Sequence, residues 1–234
     1  KASQVQRFLY IHSVAPQGWV VRKDTNISKI EEVEGKDFTA GMKGSATEKQ
    51  TQNVMAVLGV KPRYYAASIQ DMVQAIKDRR IVGFVKLHSG AKAIDSAVQE
   101  VNVTLPLREL SFTPEQEKKV LEKYPYYTFM DVDKDQLAPG YPDRKVRSLA
   151  LVVGVAINKD IPEELGYKLT KVSIEDNTDK GDKIQATAYP AVKGIDFAQL
   201  TVDYVMTPLH AGAVKYFREI GKQVKKEQIP PEMK

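Results

Sequence analysis

The sequence contains no cysteine, and this absence excludes several kinds of chemistry. Without a thiol the chain forms no disulfide bond, holds no thiolate-bound metal and has no cysteine nucleophile. Long hydrophobic runs are also missing. The longest, Leu149 to Ile157, has the length of a strand and falls short of the roughly 20 apolar residues that a membrane-spanning helix needs. No hydrophobic leader follows the first residues, so we expect a chain that is cytosolic, already processed or a fragment.

Metal-binding patterns are absent as well. An acidic run that begins at Asp131 alternates like the start of a calcium-binding loop, but Gln136 and Pro142 stand where that loop needs Gly and Glu. The chain has three histidines, His12, His88 and His210, and their spacing matches no known metal-binding motif. We therefore predict no metal site and no cofactor, and we expect a structural role for His210.

The charge pattern does not favour a nucleic-acid partner. The chain has 35 Lys and Arg against 30 Asp and Glu, a net charge of +5. The last twenty residues hold six Lys and Arg against three Glu, and elsewhere the two signs are interspersed. Nucleic-acid-binding proteins usually concentrate Lys and Arg on one face. We interpret the C-terminal charges as a solvated helix face.

Strand and helix signals alternate along the chain. Three helices are predicted from their capping residues: one capped by Ser45 or Thr47 that runs to about Leu58, one capped by Ser68 and one capped by Thr113. A last helix is predicted from about Leu209, with an apolar stripe that extends to Val224. Extended segments are predicted at Trp19–Val21, Phe38–Met42, Arg63–Ala66, Ile81–Leu87 and Val101–Leu107.

The continuous apolar run Leu149–Ile157 is typical of a strand buried on both faces. Together with the alternation of strands and helices, it predicts an α/β fold with a mostly parallel sheet. Such sheets bind ligands beyond the carboxyl ends of their strands, often at the N-terminus of a helix.

The strongest local motif is the strand–glycine–helix segment Gly41–Glu48. Its free backbone N–H groups and the hydroxyls of Ser45 and Thr47 suit a carboxylate or a phosphate. It matches neither a Walker loop nor a G-x-G-x-x-G fingerprint. An ordinary helix N-cap explains the same residues, and spacing alone leaves that alternative open.

Two further positions are candidates for a ligand site. Phe84 and Lys86 lie on a predicted strand whose carboxyl end can face a cleft, although Phe84 can equally belong to the core and Lys86 to the solvent-exposed surface. Tyr141 follows a long polar loop from which its hydroxyl can reach a ligand or simply pack on the surface. No G-x-S-x-G elbow and no marked acid–base pair indicate an enzyme.

Several stretches taken in order resemble one family. They are Val20–Asp24, Ile27–Lys36, Phe38–Met42, Gly44–Glu48, Lys123–Tyr127, Gly140–Tyr141 and Pro208–Gly221. In order and spacing they are similar to the TAXI-type solute-binding proteins of tripartite ATP-independent periplasmic (TRAP) transporters. The similarity extends from about Trp19 to Gly221.

The resemblance implies a type II periplasmic-binding-protein fold, in which two α/β lobes with a cleft between them close on a solute. It implies an extracytoplasmic receptor, not an enzyme, that binds a small carboxylate such as glutamate, glutamine or 2-oxoglutarate and delivers it to a TRAP permease. The ligand residues that it implies here are Gly44, Ser45, Ala46, Thr47, Phe84 and Tyr141. Ala46 stands where the family usually has Gly.

The resemblance also predicts the lobes. Residues 1–37 would form part of lobe I and the first crossover, residues 38–147 lobe II, and residues 148–234 the second crossover and the rest of lobe I. Family members have further strands and a ligand loop before the first crossover, which this sequence lacks. An incomplete sheet exposes unpaired edge groups and apolar surface. We therefore expect a missing segment, a swapped partner or self-association to cover lobe I.

Two other functions fit the same fold. A ligand-sensing module would be fused to an output domain, and no helix-turn-helix is apparent. An enzyme would turn over its bound solute, and it would need an acid–base pair or a cofactor lysine in the cleft.

Overall fold

The computed structural model describes residues 5–233. In this part of the chain the strands are β1 (Gln6–Arg22), β2 (Asp37–Thr39), β3 (Arg63–Tyr64), β4 (Gly83–Leu87), β5 (Leu107–Glu109), β6 (Thr128–Val132) and β7 (Val146–Asn158). The α-helices are α1 (Ala46–Leu58), α2 (Ile69–Lys77), α3 (Ser96–Thr104), α4 (Pro114–Lys123), α5 (Glu163–Asp176), α6 (Ile184–Ala188), α7 (Phe197–Tyr204) and α8 (Ala211–Glu219). The predicted α/β class is confirmed.

The chain divides into two compact units. Unit 1 consists of Lys1–Val14 and Val152–Lys234, and unit 2 consists of Ala15–Leu151. The chain therefore passes from one unit to the other inside β1 and again inside β7. The lobe limits taken from the family resemblance, after residues 37 and 147, stay a prediction.

Unit 2 is built on a sheet of mixed direction. Strand β2 pairs in parallel with β3 and β4, whereas β1 pairs antiparallel with β4 and with β5. Strands β6 and β7 form an antiparallel pair from Thr128↔Ala150 to Val132↔Val146. The mostly parallel sheet that we predicted is thus a mixed sheet here, because the long strand β1 runs against its neighbours.

Alternate residues of β1 supply the cores on the two faces of this sheet. Trp19 and Val21 belong to one apolar cluster, and Val20 belongs to the other. In the first cluster the ring of Trp19 meets the edge of Phe112 at 5.0 Å between centroids. This period of two is that of a strand covered on both sides.

Helix capping explains why three helix predictions are confirmed. Ser45 caps α1, Ser68 caps α2 and Thr113 caps α4, each by accepting a hydrogen bond from a backbone N–H of the first turn. In α4 a proline fills the first helical position, where no intrahelical N–H bond is lost.

Three predictions are wrong in part. The segment predicted as extended at residues 101–107 begins inside α3. Asp95 caps the N-terminus of this helix, and its buried face includes Val98 and Val101. Strand β7 is buried only as far as Ala150, because β6 pairs with it no further. Helix α8 ends at Glu219, so Val224 lies outside it.

In unit 1 the principal helix contact joins α5 and α8. A Cβ atom on Gly212 of α8 would lie 2.2 Å from the backbone nitrogen of Tyr167 and 2.3 Å from the carbonyl oxygen of Glu163. Only glycine permits this approach. His210 caps α8 through Nδ1, which accepts from the Gly212 N–H at 3.2 Å, and its Nε2 bonds the carbonyl of Ile161 at 2.9 Å. The structural role predicted for His210 is confirmed.

Within residues 5–233 no helix has both the length and the apolar character required to cross a bilayer.

Candidate functional site

The turn before α1 is closed by hydrogen bonds of its own. The Ser45 Oγ accepts from the backbone N–H of Glu48 at 3.1 Å, which makes Ser45 the N-cap of the helix. The carboxylate of Glu48 folds back and accepts from the backbone N–H of Gly44 at 2.6 Å. The N–H of Gly44 and the Oγ of Ser45 are therefore already engaged in the hydrogen bonds of the helix cap.

Two backbone donors of the same turn stay available. Among residues 5–233 no hydrogen-bond acceptor meets the N–H groups of Ala46 and Thr47. These two groups lie at the start of a helix of 13 residues, whose dipole places partial positive charge there. The Thr47 side chain is buried, whereas Gly44 and Ala46 are exposed. The turn can thus offer two N–H donors to an anion.

The structure places Phe84 in the core. Its side chain is fully buried among the apolar residues of α2 and α3, including Met72, Ile76 and Val98. The neighbouring Lys86 donates to the carboxylate of Asp95 at 2.8 Å, with both side chains largely buried. Neither side chain offers a free surface in this conformation.

Tyr141 is buried too, and its hydroxyl has no hydrogen-bond partner in the described part of the chain. Its ring meets the ring of His88 edge-on at 6.1 Å. Burial and the nearby charge of Glu109, which lacks hydrogen-bond geometry to this hydroxyl, raise the pKa of Tyr141 well above its ordinary value. The phenol is therefore held protonated.

The main polar feature near Tyr141 is a buried His88–Glu109 pair. The Nε2 of His88 lies 2.6 Å from Oε1 of Glu109, and both side chains are almost fully buried. The Nδ1 of His88 accepts the backbone N–H of Asp95 at 3.2 Å. This pattern assigns the imidazole proton to Nε2, which donates it to the carboxylate.

Strand β1 connects this pair with the turn of α1. A Cβ atom on Gly18 would lie 2.5 Å from Nε2 of His88, so the pair fits only beside a glycine. The preceding residue, Gln17, donates from its side chain to Gln50 of α1 at 2.5 Å. The turn and the buried pair therefore flank one short segment of β1 in unit 2.

Sequence reasoning selected the turn as a candidate site but did not single out the buried pair. His88 follows β4 and Glu109 ends β5, and 21 residues separate them in sequence. No local spacing links the two residues, because β1 brings their strands together. The only usable signal is that a histidine stands directly after a strand on which a ligand residue was predicted. Within the described residues no group of three or more metal-ligating side chains converges.

A family model for the NMT1-like family matches residues 3–221 of this chain. The chain belongs to the NMT1-like family. The match includes all of unit 2 and most of unit 1.

Several solved structures are similar to this NMT1-like chain. A periplasmic sulfonate-binding protein of a sulfonate ABC transporter from Methylobacillus flagellatus KT is 12% identical, with a TM-score of 0.49, and the match covers 97% of this chain and 67% of that one. An ancestral arginine-binding protein bound to arginine is 18% identical, with a TM-score of 0.46 and coverages of 80% and 65%. A periplasmic binding protein from Brucella ovis with glutathione bound is 11% identical, with a TM-score of 0.41 and coverages of 79% and 44%.

The match spans between 44% and 67% of the length of these three chains. The similarity is one of fold, and the ligand in each of those structures belongs to that protein.

Proposed function

We propose that this chain is the ligand-binding part of an extracytoplasmic solute receptor and not an enzyme. Its solute is a small carboxylate of the glutamate, glutamine or 2-oxoglutarate kind, held by closure of two lobes. Membership of the NMT1-like family and the sequence resemblance to TAXI-type receptors support this proposal.

The observation that carries the proposal is the pair of unpartnered N–H groups of Ala46 and Thr47 at the start of α1. Hydrogen bonds from such groups to an ionised carboxylate are roughly twice as strong as those between neutral groups. We propose Gly44, Ser45, Ala46 and Thr47 as the ligand contacts. Phe84 and Tyr141, which the resemblance also implies as ligand residues, are buried in the core of unit 2 in this conformation.

The test compares two serines that cap helices in the same way. Ser45 and Ser68 each accept a first-turn N–H at 3.1 Å, but only Ser45 belongs to the proposed site. Replacing either serine by Ala costs about 1 kcal/mol of stability. We expect S45A to weaken carboxylate binding in isothermal titration calorimetry, because the turn loses its fixed geometry, while S68A binds as the native chain does.

The ligand for this test is chosen by a thermal-shift screen with glutamate, glutamine and 2-oxoglutarate. A ligand at 100 times its Kd stabilises the folded chain by about 2.7 kcal/mol. The site assignment is wrong if S45A retains the full affinity for a ligand identified in this way. The receptor proposal itself fails if none of the three compounds, and no other small carboxylate, raises the melting temperature.

The partner that we propose is the membrane permease of a TRAP transporter, on the sequence resemblance alone. Uptake of the identified solute into vesicles that hold the permease should depend on added receptor. Self-association through unit 1 is part of the same proposal, and sedimentation velocity over a concentration series measures it.

A further inference from the structure

Unit 1 contains a small cavity at a distance in sequence from the turn of α1. Its volume is about 230 Å³. It lies between β1 and the segment from α6 to α7, and it is lined by His12, Gln185, Ala188, Tyr189, Val192 and Phe197. Three of these six side chains are aromatic rings, so the cavity presents ring edges and faces to an occupant.

Contacts with neighbouring rings fix the aromatic side chains that line the cavity. Phe197 is buried and stacks on Tyr10 at 5.7 Å between centroids and 25° between planes. The ring of His12 meets Phe197 at 6.4 Å and Tyr189 at 6.5 Å, in both cases edge-on. Offset and edge-on arrangements of this kind are the favoured ones for aromatic groups. The cavity is therefore preformed on the side of His12 and Phe197.

Two of the lining side chains, Gln185 and His12, differ in the hydrogen bonds that they make within the described part of the chain. Gln185 accepts from the hydroxyl of Tyr10 at 2.9 Å and donates to the carbonyl of Ser173 at 2.7 Å. By contrast, neither ring nitrogen of the half-buried His12 has a hydrogen-bond partner among residues 5–233. The imidazole offers one donor and one acceptor beside an apolar surface.

The cavity lacks a formal charge at neutral pH. None of the other five lining side chains is ionisable near pH 7, and burial lowers the pKa of His12 below its ordinary value. An ionised ligand would gain no ion pair there and would lose hydration. This favours an uncharged occupant.

We propose that this cavity, the His12 pocket, binds an uncharged single-ring aromatic compound that carries one hydroxyl group, with the hydroxyl on a ring nitrogen of His12. An enclosed apolar cavity of about 150 Å³ binds benzene, so the His12 pocket, which is open to solvent and has a volume of about 230 Å³, has room for a ring with one or two substituents. The proposal is independent of the carboxylate site, because every lining residue belongs to unit 1.

The test follows the histidine C2 protons of the full chain by NMR while p-cresol is added. The chain has only three histidines, of which His88 and His210 are buried, and H12F assigns the third signal. We expect the His12 signal alone to shift in a saturable way. H12F keeps the ring but removes both nitrogens, so its affinity for p-cresol, measured by calorimetry, should fall about fivefold, the loss of one uncharged hydrogen bond.

A second pair of variants tests the cavity without changing His12. A188F adds a ring to a lining residue and should abolish binding, whereas I184F adds a ring to an exposed neighbour on α6 that does not line the cavity. I184F should bind as the native chain does. The proposal is overturned if p-cresol causes no saturable shift of the His12 signal, or if A188F binds as tightly as I184F.

Discussion

At the scale of single residues, Glu48 decides how well the turn before α1 can hold an anion. Its carboxylate occupies the Gly44 N–H at 2.6 Å and places a negative charge where the proposed ligand would carry one. Like charges in close proximity disfavour each other. The group that stabilises the turn would thus repel the proposed ligand.

We expect E48Q to bind the identified carboxylate more tightly, by several-fold, because the amide keeps an acceptor for Gly44 and loses the charge. The matched control is D71N, which neutralises a first-turn acid of α2 outside the site. Calorimetry on both variants measures the effect. Equal affinities for E48Q and the native chain would show that the ligand does not sit at this turn.

Tyr141 provides a second residue-scale prediction. Its hydroxyl is buried without a partner, and burial raises its pKa. Removing an unsatisfied buried polar group gains free energy, so we expect Y141F to raise the free energy of unfolding by about 1 kcal/mol at pH 7. Urea denaturation measures this change.

The pH dependence of the same variant has a definite sign. A tyrosine whose pKa is raised in the folded state favours folding below its unfolded pKa, near 10, and this contribution is lost as the pH rises through the folded pKa. The stability of the native chain should therefore fall above pH 10, and that of Y141F should fall less. An unchanged alkaline slope would contradict the burial of this phenol.

The sequence alone predicted the helix cap at the start of α1, but it predicted neither the burial of Phe84 nor the His88–Glu109 pair. A cap at the start of α1 was predictable as Ser45 or Thr47, because a cap depends only on nearby residues, and the structure selects Ser45. The burial of Phe84 was not predictable, because a strand residue near a carboxyl end can face either a cleft or a core. His88 and Glu109 meet only through the pairing of β1 with β4 and β5.

At the scale of elements, the contact between α5 and α8 depends on one missing side chain. The Cβ of an alanine at position 212 would meet backbone atoms of Tyr167 and Glu163 at 2.2 and 2.3 Å. Backbone in a helix cannot give way as a flexible side chain can. We expect G212A to lower the free energy of unfolding of unit 1 by about 2–3 kcal/mol.

Hydrogen exchange resolves where that loss occurs. Amides of α5 and α8 should lose protection in G212A, while those of α1 and β4, which belong to unit 2, provide the internal control. Equal loss in both units would mean that they unfold as one cooperative body. No loss in α5 would mean that the two helices pack less closely than described.

Elements were predictable where their ends carry a chemical signal. Helices α1, α2 and α4 each begin at a capping serine or threonine. The sequence analysis missed helix α3 because valine has a high intrinsic preference for strands. In the structure, the Asp95 cap and the burial of Val98 and Val101 on one face outweigh this preference.

At the scale of the whole molecule, the α/β class was readable from the alternation of signals. The chain crosses between its two compact units inside two continuous strands, between Val14 and Ala15 in β1 and between Leu151 and Val152 in β7. A boundary of this kind is defined by contacts between distant residues, which composition does not record.

The two crossings have a consequence for how such a molecule can be cut and rejoined. Strands β1 and β7 are neighbours in a sheet, and the Ser148 hydroxyl donates to the carbonyl of Gln17 at 2.7 Å. The first and last residues of unit 2 therefore leave it side by side, about 5 Å apart as paired strands are. Unit 2 is therefore one continuous segment with adjacent ends, here called a cassette. A bridge of two residues can join these ends with little loss of chain entropy. The same geometry lets a different cassette be spliced into unit 1 at residues 14 and 152.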